Sequence, residues 1–221
     1  MKKTISIIFA VAMLFSGCGD NTSSESDISE SSEEVSEVIE VTEEIPTERI
    51  RDIESITDFE YEILDGGVTI TKYTGNELDV VIPDTIEDVP VTKIGFYAFE
   101  AQFNIESVIL PDTIEVICEN AFMDCSSMKS INLPETLTEI ERGAFVACTS
   151  LESLVIPAST ISIEMEAFTA CESMTSLTVN NPELKYEDWG LESIPSLTVY
   201  ADEKSDIYKW AFENGINVSS L

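Results

Sequence analysis

The side chains best equipped for chemistry in this 221-residue chain are its five cysteines, and their spacing argues against most of that chemistry. Cys125, Cys148 and Cys171 fall 23 residues apart, Cys118 lies outside that phase, and Cys18 stands near the start. There is no Cys-x-x-Cys pair and no histidine, so the ligand spacing of a zinc site is missing. Without histidine there is neither a Ser-His-Asp triad nor a Cys-His pair. The chain also lacks a Gly-x-Ser-x-Gly elbow, a glycine-rich phosphate loop, a His-Glu-x-x-His helix and an EF-hand loop. Carboxylates are plentiful, 43 against 11 basic residues for a net charge of −32, and none stands out from that background as an acid–base pair. These residues point to a protein without catalysis, cofactor or metal. So acidic a chain repels nucleic acid and anionic headgroups, and a charged partner is expected to be basic.

The first residues form an address. Lys2 and Lys3 precede an apolar run from Ile5 to Phe15, and Ser16-Gly17-Cys18 follow. A positive start, a short apolar core and small residues make a secretory signal. The run of 11 residues is shorter than the roughly 20 that span a bilayer as a helix. Leu14-Phe15-Ser16-Gly17-Cys18 resembles the lipobox of bacterial lipoproteins, with Phe15 where that family usually has leucine. The resemblance implies cleavage before Cys18, a diacylglycerol on its sulfur, and an extracytoplasmic protein held to the membrane by that lipid alone. Loss of Lys2 and Lys3 with residues 1–17 takes the net charge from −32 to −34.

Residues 18–57 are rich in Ser, Thr, Asp and Glu, as in Asn21 to Glu34, and hold no aromatic residue. Such a segment buries too little apolar surface to offset chain entropy, so it is expected to be a disordered tether. A flexible tether of this length spans roughly 35 Å, further with self-repulsion.

Beyond it the chain repeats. Ala98-Phe99, Ala121-Phe122, Ala144-Phe145 and Ala167-Phe168 recur every 23 residues, as do Ile94, Ile117, Ile140 and Ile163, and Pro111, Pro134 and Pro157. Phe103 precedes Cys125 by 22 residues, one short of the period, and the turn begun by Pro83 carries five extra residues around Glu87 to Val91. The unit from Leu133 to Ile156 closely resembles the BspA-type leucine-rich repeats of bacterial surface proteins. The resemblance implies a leucine-rich-repeat solenoid, mainly β with short helical or irregular turns, and protein binding or adhesion as its work. The lead-in Phe59-Glu60-Tyr61-Glu62-Ile63 with Gly66-Gly67 resembles the capping hairpin of that family, and Tyr208 to Ile216 its terminal helix. The expected organisation is signal peptide 1–17, tether 18–57, N-terminal cap 58–82, repeats 83–179, and a degenerate repeat with C-terminal cap 180–221.

Segments 105–110, 128–133, 151–156, 174–179 and 194–199 are apolar at their first, fourth and sixth places. The last two alternate as half-buried strands do. Proline cannot donate to a ladder, so Pro111, Pro134 and Pro157 end their strands. A turn alone cannot offset the entropy of ordering it, so neighbours must share core and strand pairing. Stacking then sets Cys125, Cys148 and Cys171 in a column roughly 5 Å apart, as small buried hydrophobes. Cys118, at the place of Glu141 and Glu164, is the expected exposed thiol.

The functional surface is then the solvent side of the strands. Third places are Ser107, Ser130, Ser153, Ser176 and Ser196; fifth places are Ile109, Asn132, Val155, Thr178 and Thr198; second places are Glu106, Lys129, Glu152 and Thr175. This strip of hydroxyls beside aliphatic groups suits a flat or extended protein partner. Serine copied along with the repeat also accounts for its column, in which case Ile109, Asn132, Val155 and Lys129 carry the contact. Two other roles remain open: a wall-spacing or self-assembling subunit, and an accessory carbohydrate binder. The last calls for exposed aromatics, for which Tyr186, Trp189, Tyr200, Tyr208 and Trp210 are the candidates.

Overall fold

Two narrow ladders of mostly parallel strands run along a stack of turns, and the central turns of the chain each contribute one short strand to both. The coordinates are a computed structural model that describes residues 57–221. The signal segment, Cys18 and the tether lie outside the described residues, apart from Thr57.

The stack opens with an antiparallel hairpin, β1 (Phe59–Leu64) on β2 (Gly67–Tyr73). Asp65 and Gly66, both at positive φ, turn it. One ladder continues from β2 through β5 (Val89–Ile94), β7 (Val116–Ile117), β9 (Glu139–Ile140) and β11 (Ser162–Ile163). Ile94, Ile117, Ile140 and Ile163 sit opposite one another in it and are buried. The other ladder comes in two parts. β3 (Asp79–Val81), β6 (Ser107–Ile109) and β8 (Ser130–Ile131) form the first. β10 (Ser153–Ile156), β12 (Ser176–Val179), β13 (Thr198–Ala201) and β14 (Asn217–Ser220) form the second. The five extra residues of the early turn make a small hairpin, in which β4 (Thr85–Ile86) pairs with β5 across Glu87 and Asp88. Those two residues sit at φ 52° and 63°, the left-handed pair that a two-residue hairpin turn requires. Near the end, Leu191–Ser193 make a 3-10 turn, and α1 (Asp206–Glu213) starts from Ser205, whose hydroxyl accepts the Tyr208 N–H.

The loop carrying Ala-Phe is ordered by its own backbone ladder. Tyr97, Phe99 and Ala101 donate their N–H groups to Glu119, Ala121 and Met123 of the next turn. Ala98, Glu100 and Gln102 donate within the loop to Gly95, Tyr97 and Phe99. This alternation needs left-handed backbone at two places per turn: Tyr97, Asn120, Gly143 and Glu166 in one column, Ala101, Asp124, Ala147 and Ala170 in the other. Only one of the eight is glycine, so the stacking of turns sustains conformations that L-residues ordinarily avoid.

Between the ladders and the loop lies a column of rings. Tyr73, Phe99, Phe122, Phe145 and Phe168 stack at centroid separations of 4.9–5.9 Å, and Trp189 closes the column edge-on at 6.3 Å. Offset stacks add roughly 0.5–1.5 kcal/mol per pair beyond the burial of their area. The cysteine column borders the rings. Cys125, Cys148 and Cys171 each donate S–H to the phenylalanine carbonyl one turn back (Phe99, Phe122, Phe145) at 3.1–3.2 Å. In the first turn this place belongs to Gln102, whose amide donates to the Tyr73 carbonyl at 3.4 Å. Phe103, expected near the column, is 57% exposed. Its backbone N–H pairs with Ala101, as that of Ser126 pairs with Asp124, which turns its side chain outward. Among the described residues no buried side-chain polar atom lacks a hydrogen-bond partner.

Candidate interaction face

Register fixes the outward columns of the second ladder. Asp79, Ser107 and Ser130 face one another in its first part; Ser153, Ser176, Thr198 and Asn217 do so in its second. The neighbouring column holds Val81 and Ile109 in the first part, and Val155, Thr178, Tyr200 and Ser219 in the second. Ser196 therefore does not occupy the serine column. It sits in a turn before β13, and Thr198 pairs with Ser176 while Tyr200 pairs with Thr178. The 22-residue spacing from Ser176 to Thr198 and the degenerate segment around Pro182 hide this two-residue slip, because a shift of two keeps the same side chains pointing in. Asp79, Val81, Tyr200, Asn217 and Ser219 join the face although the sequence pattern does not place them there.

The two parts of the ladder meet where Asn132 stands. Its amide folds back on Leu110, accepting from the Leu110 N–H at 2.7 Å and donating to the Leu110 carbonyl at 3.0 Å. A side chain thus takes over pairing that a strand backbone otherwise makes. Between β8 and β10, Glu152 N–H to the Lys129 carbonyl at 3.2 Å still joins the turns. Asn132 is consequently a clasp between turns, while the residue itself stays exposed on the face.

The neighbours of Asn132 are open. Ile109 is 49% exposed and Val155 53%. At the strand entrance Lys129 bridges to Glu106 at 2.7 Å, and the Glu106 carboxylate holds the ammonium above the usual lysine range. Glu152 and Thr175 continue this row, with the Thr175 hydroxyl donating to the Glu152 carbonyl. Ser107 donates to the Asp79 carboxylate. Ser130 and Ser153 are exposed, Ser176 and Thr198 half-buried. The face carries small groups, three exposed aliphatic side chains (Val81, Ile109 and Val155), the half-buried Tyr200 and one neutralised ion pair.

The four described thiols offer no reactive centre. Cys118, expected to be exposed, is buried at 6% exposure. Burial, followed by the charge of Glu141, pushes its thiol up to about 11 against the opposing pull of Lys93. At that position a short side chain folds in. The longer Glu141 and Glu164 reach out instead, accepting the N–H groups of Glu119 and Arg142 at 2.8 and 3.0 Å. Burial raises Cys125 and Cys171 to about 12 and lifts Cys148 as well, so these sulfurs stay protonated and poorly nucleophilic at neutral pH.

Nor do the C-terminal aromatics form an open platform. Trp189 is fully buried and donates its indole N–H to the Ile163 carbonyl, while Tyr186 stacks on Trp210 at 4.0 Å. Tyr200 and Tyr208 are half-buried. A shallow depression lined by Arg142, Glu164, Met165, Glu187 and Asp188 is open to solvent and sets no nucleophile beside a base. Among the described residues no group of three His, Cys, Asp or Glu is placed to hold a metal, and no helix is long and apolar enough to cross a membrane.

Comparison with known proteins agrees with this geometry. The family model of the BspA type leucine rich repeat region matches residues 92–219 in 6 copies. Among solved structures, a leucine-rich repeat protein of T. pallidum is similar at 28% identity over 66% of this chain and 74% of its own, with a TM-score of 0.60. A leucine-rich repeat protein from Bacteroides capillosus is 31% identical over 56% of this chain and 94% of its own, TM-score 0.52. A leucine rich cell surface protein from Faecalibacterium prausnitzii is 28% identical over 65% of this chain and 43% of its own, TM-score 0.57. No curated protein matches.

Proposed function

Because the chain belongs to the BspA-type leucine-rich repeat family, we propose that it is a cell-surface interaction module that binds a protein partner through the outer face of its second strand ladder. The observation that carries this reading is the exposure of Ile109 and Val155, the most open aliphatic side chains on a strip made largely of small polar groups. Fully covering an aliphatic side chain is worth roughly 1.5–3 kcal/mol, so two that are half exposed supply about 2 kcal/mol to a contact. The likeness to a leucine rich cell surface protein supports the location. In this reading Cys18 carries the lipid, residues 18–57 lift the repeats from the membrane, and the solenoid holds the face rigid.

Adhesion of the chain to cells or immobilised matrix proteins tests the face. Ile109→Glu together with Val155→Glu is expected to lower binding at least tenfold with an unchanged unfolding curve. Unchanged binding by the folded variant rejects this face. Sedimentation of the same samples separates binding to foreign protein from self-assembly. For the anchor, Cys18→Ala is expected to move the protein from the membrane fraction to the medium, and retention in the membrane contradicts lipid attachment.

A further inference from the structure

The loop of the first complete repeat departs from its successors. Phe96, Tyr97 and Phe103 are 61%, 46% and 57% exposed within the loop between β5 and β6. Later turns fold without them, although the Tyr97 hydroxyl accepts a hydrogen bond from the Asn120 side-chain amide of the next turn at 2.9 Å. The positions of Phe96 in later turns hold Glu119, Arg142 and Met165; those of Tyr97 hold Asn120, Gly143 and Glu166; those of Phe103 hold Ser126, Thr149 and Glu172. The loops of the next two turns repeat the same pattern of backbone bonds with these other side chains. Tyr97 also occupies left-handed backbone at φ 54°, which costs a bulky aromatic more than it costs Asn120 or Gly143. With Tyr97 tied to Asn120, Phe96 and Phe103 are the exposed rings kept where mostly polar side chains serve the fold, and they indicate another role. The rings stand beside carboxylates: Glu100 is in the loop, and Glu119 and Asp124 are in the same loop of the adjoining turn. None of the three enters an ion pair among the described residues, and residues 95–106 contain no basic side chain.

We propose that this loop is a second docking surface, separate from the ladder face, that takes an arginine- or lysine-bearing segment of a partner protein. Ring faces receive the cation and its alkyl stem, and the neighbouring carboxylates neutralise the charge. Acidic surroundings disfavour a second copy of this chain and an anionic lipid surface as occupants.

The test titrates acetylated hexa-arginine, hexa-lysine and hexa-glutamate peptides into the full chain at about 0.3 M salt, where contacts with distant acidic residues are screened. The neutral triple variant Phe96→Ser, Tyr97→Asn, Phe103→Ser leaves net charge unchanged. It is expected to weaken hexa-arginine binding about tenfold, while Phe212→Ser, which removes another exposed ring, leaves it unchanged. The single variants Phe96→Ser and Phe103→Ser, each expected to show part of the loss, serve if the triple variant unfolds. Equal binding by wild type and loop variants overturns the proposal. So does ring-dependent binding of hexa-glutamate, of an uncharged glycan or of phosphatidylcholine vesicles. Ile109→Glu with Val155→Glu leaves hexa-arginine binding intact, which separates failure here from failure of the ladder face.

Discussion

Ala144 and Ala147 lie three residues apart in one loop, and glycine at the two places is expected to act with opposite sign. Ala147 has φ 58°. A left-handed L-residue costs roughly 1–2 kcal/mol, which glycine removes, while the extra freedom of glycine in the unfolded chain returns about 0.5–1 kcal/mol. Ala147→Gly is therefore expected to stabilise the protein by about 0.5–1 kcal/mol. Ala144 is not among the left-handed residues and is fully buried. There glycine adds the same entropy cost and removes a buried methyl worth about 0.8 kcal/mol, so Ala144→Gly destabilises by about 1.5 kcal/mol. Urea unfolding followed by circular dichroism gives both midpoints at one common slope. At roughly 2–4 °C per kcal/mol, thermal midpoints should rise by a few degrees for one variant and fall by several for the other. Equal loss at both sites would refute the claim that stacked turns impose left-handed backbone on non-glycine residues.

In the ring column, Phe145→Ala is expected to cost about 3–5 kcal/mol and Phe145→Leu about 1–2 kcal/mol, since leucine restores volume without the stacks at 5.4 and 5.9 Å; unfolding midpoints of the pair decide it. Asn132→Ala leaves the Leu110 N–H and carbonyl without the clasp and is expected to cost about 1–2 kcal/mol, with hydrogen exchange at Leu110 accelerating before that at Val155. Burial raises the Glu141 carboxyl, and the charges of Glu139, Glu164 and Glu119 add to it against the Glu119 N–H. Its folded value thus exceeds its unfolded one, so the folded state binds the proton more tightly. Stability should rise as pH falls from neutrality through the folded value, levelling off below the unfolded one. Glu141→Gln should flatten that slope and raise stability at pH 7, as urea titrations at several pH values will show.

Much of this architecture is legible in the residues because one period governs it. Phenylalanine, alanine, cysteine and proline recur at 23 residues, and a copied turn must place like over like. The first strand of each turn, its inward fourth place at Val108, Leu154 and Leu177, and the cysteine column follow directly from that spacing. The other ladder is not legible, because β7, β9 and β11 are two residues long and show no alternation. Isoleucine at its buried place carries the period without revealing a strand. Spacing misplaces Ser196 where the period itself changes. It misleads at Cys118 because the column partners there are glutamates, whose length rather than backbone direction carries them outward. The clasp of Asn132 and the exposed ring of Phe103 depend on side-chain direction, which spacing alone does not supply.

The central claim is that 23-residue turns are interchangeable units stacked in phase. Deleting residues 130–152 joins Lys129 to Ser153 and removes one turn; deleting 18 residues from the same start breaks the phase. Far-ultraviolet circular dichroism with urea unfolding of the two is the direct measurement. The in-phase deletion should keep a cooperative strand-rich fold with a smaller unfolding slope, and the out-of-phase deletion should lose it. Equal collapse of both would contradict the account.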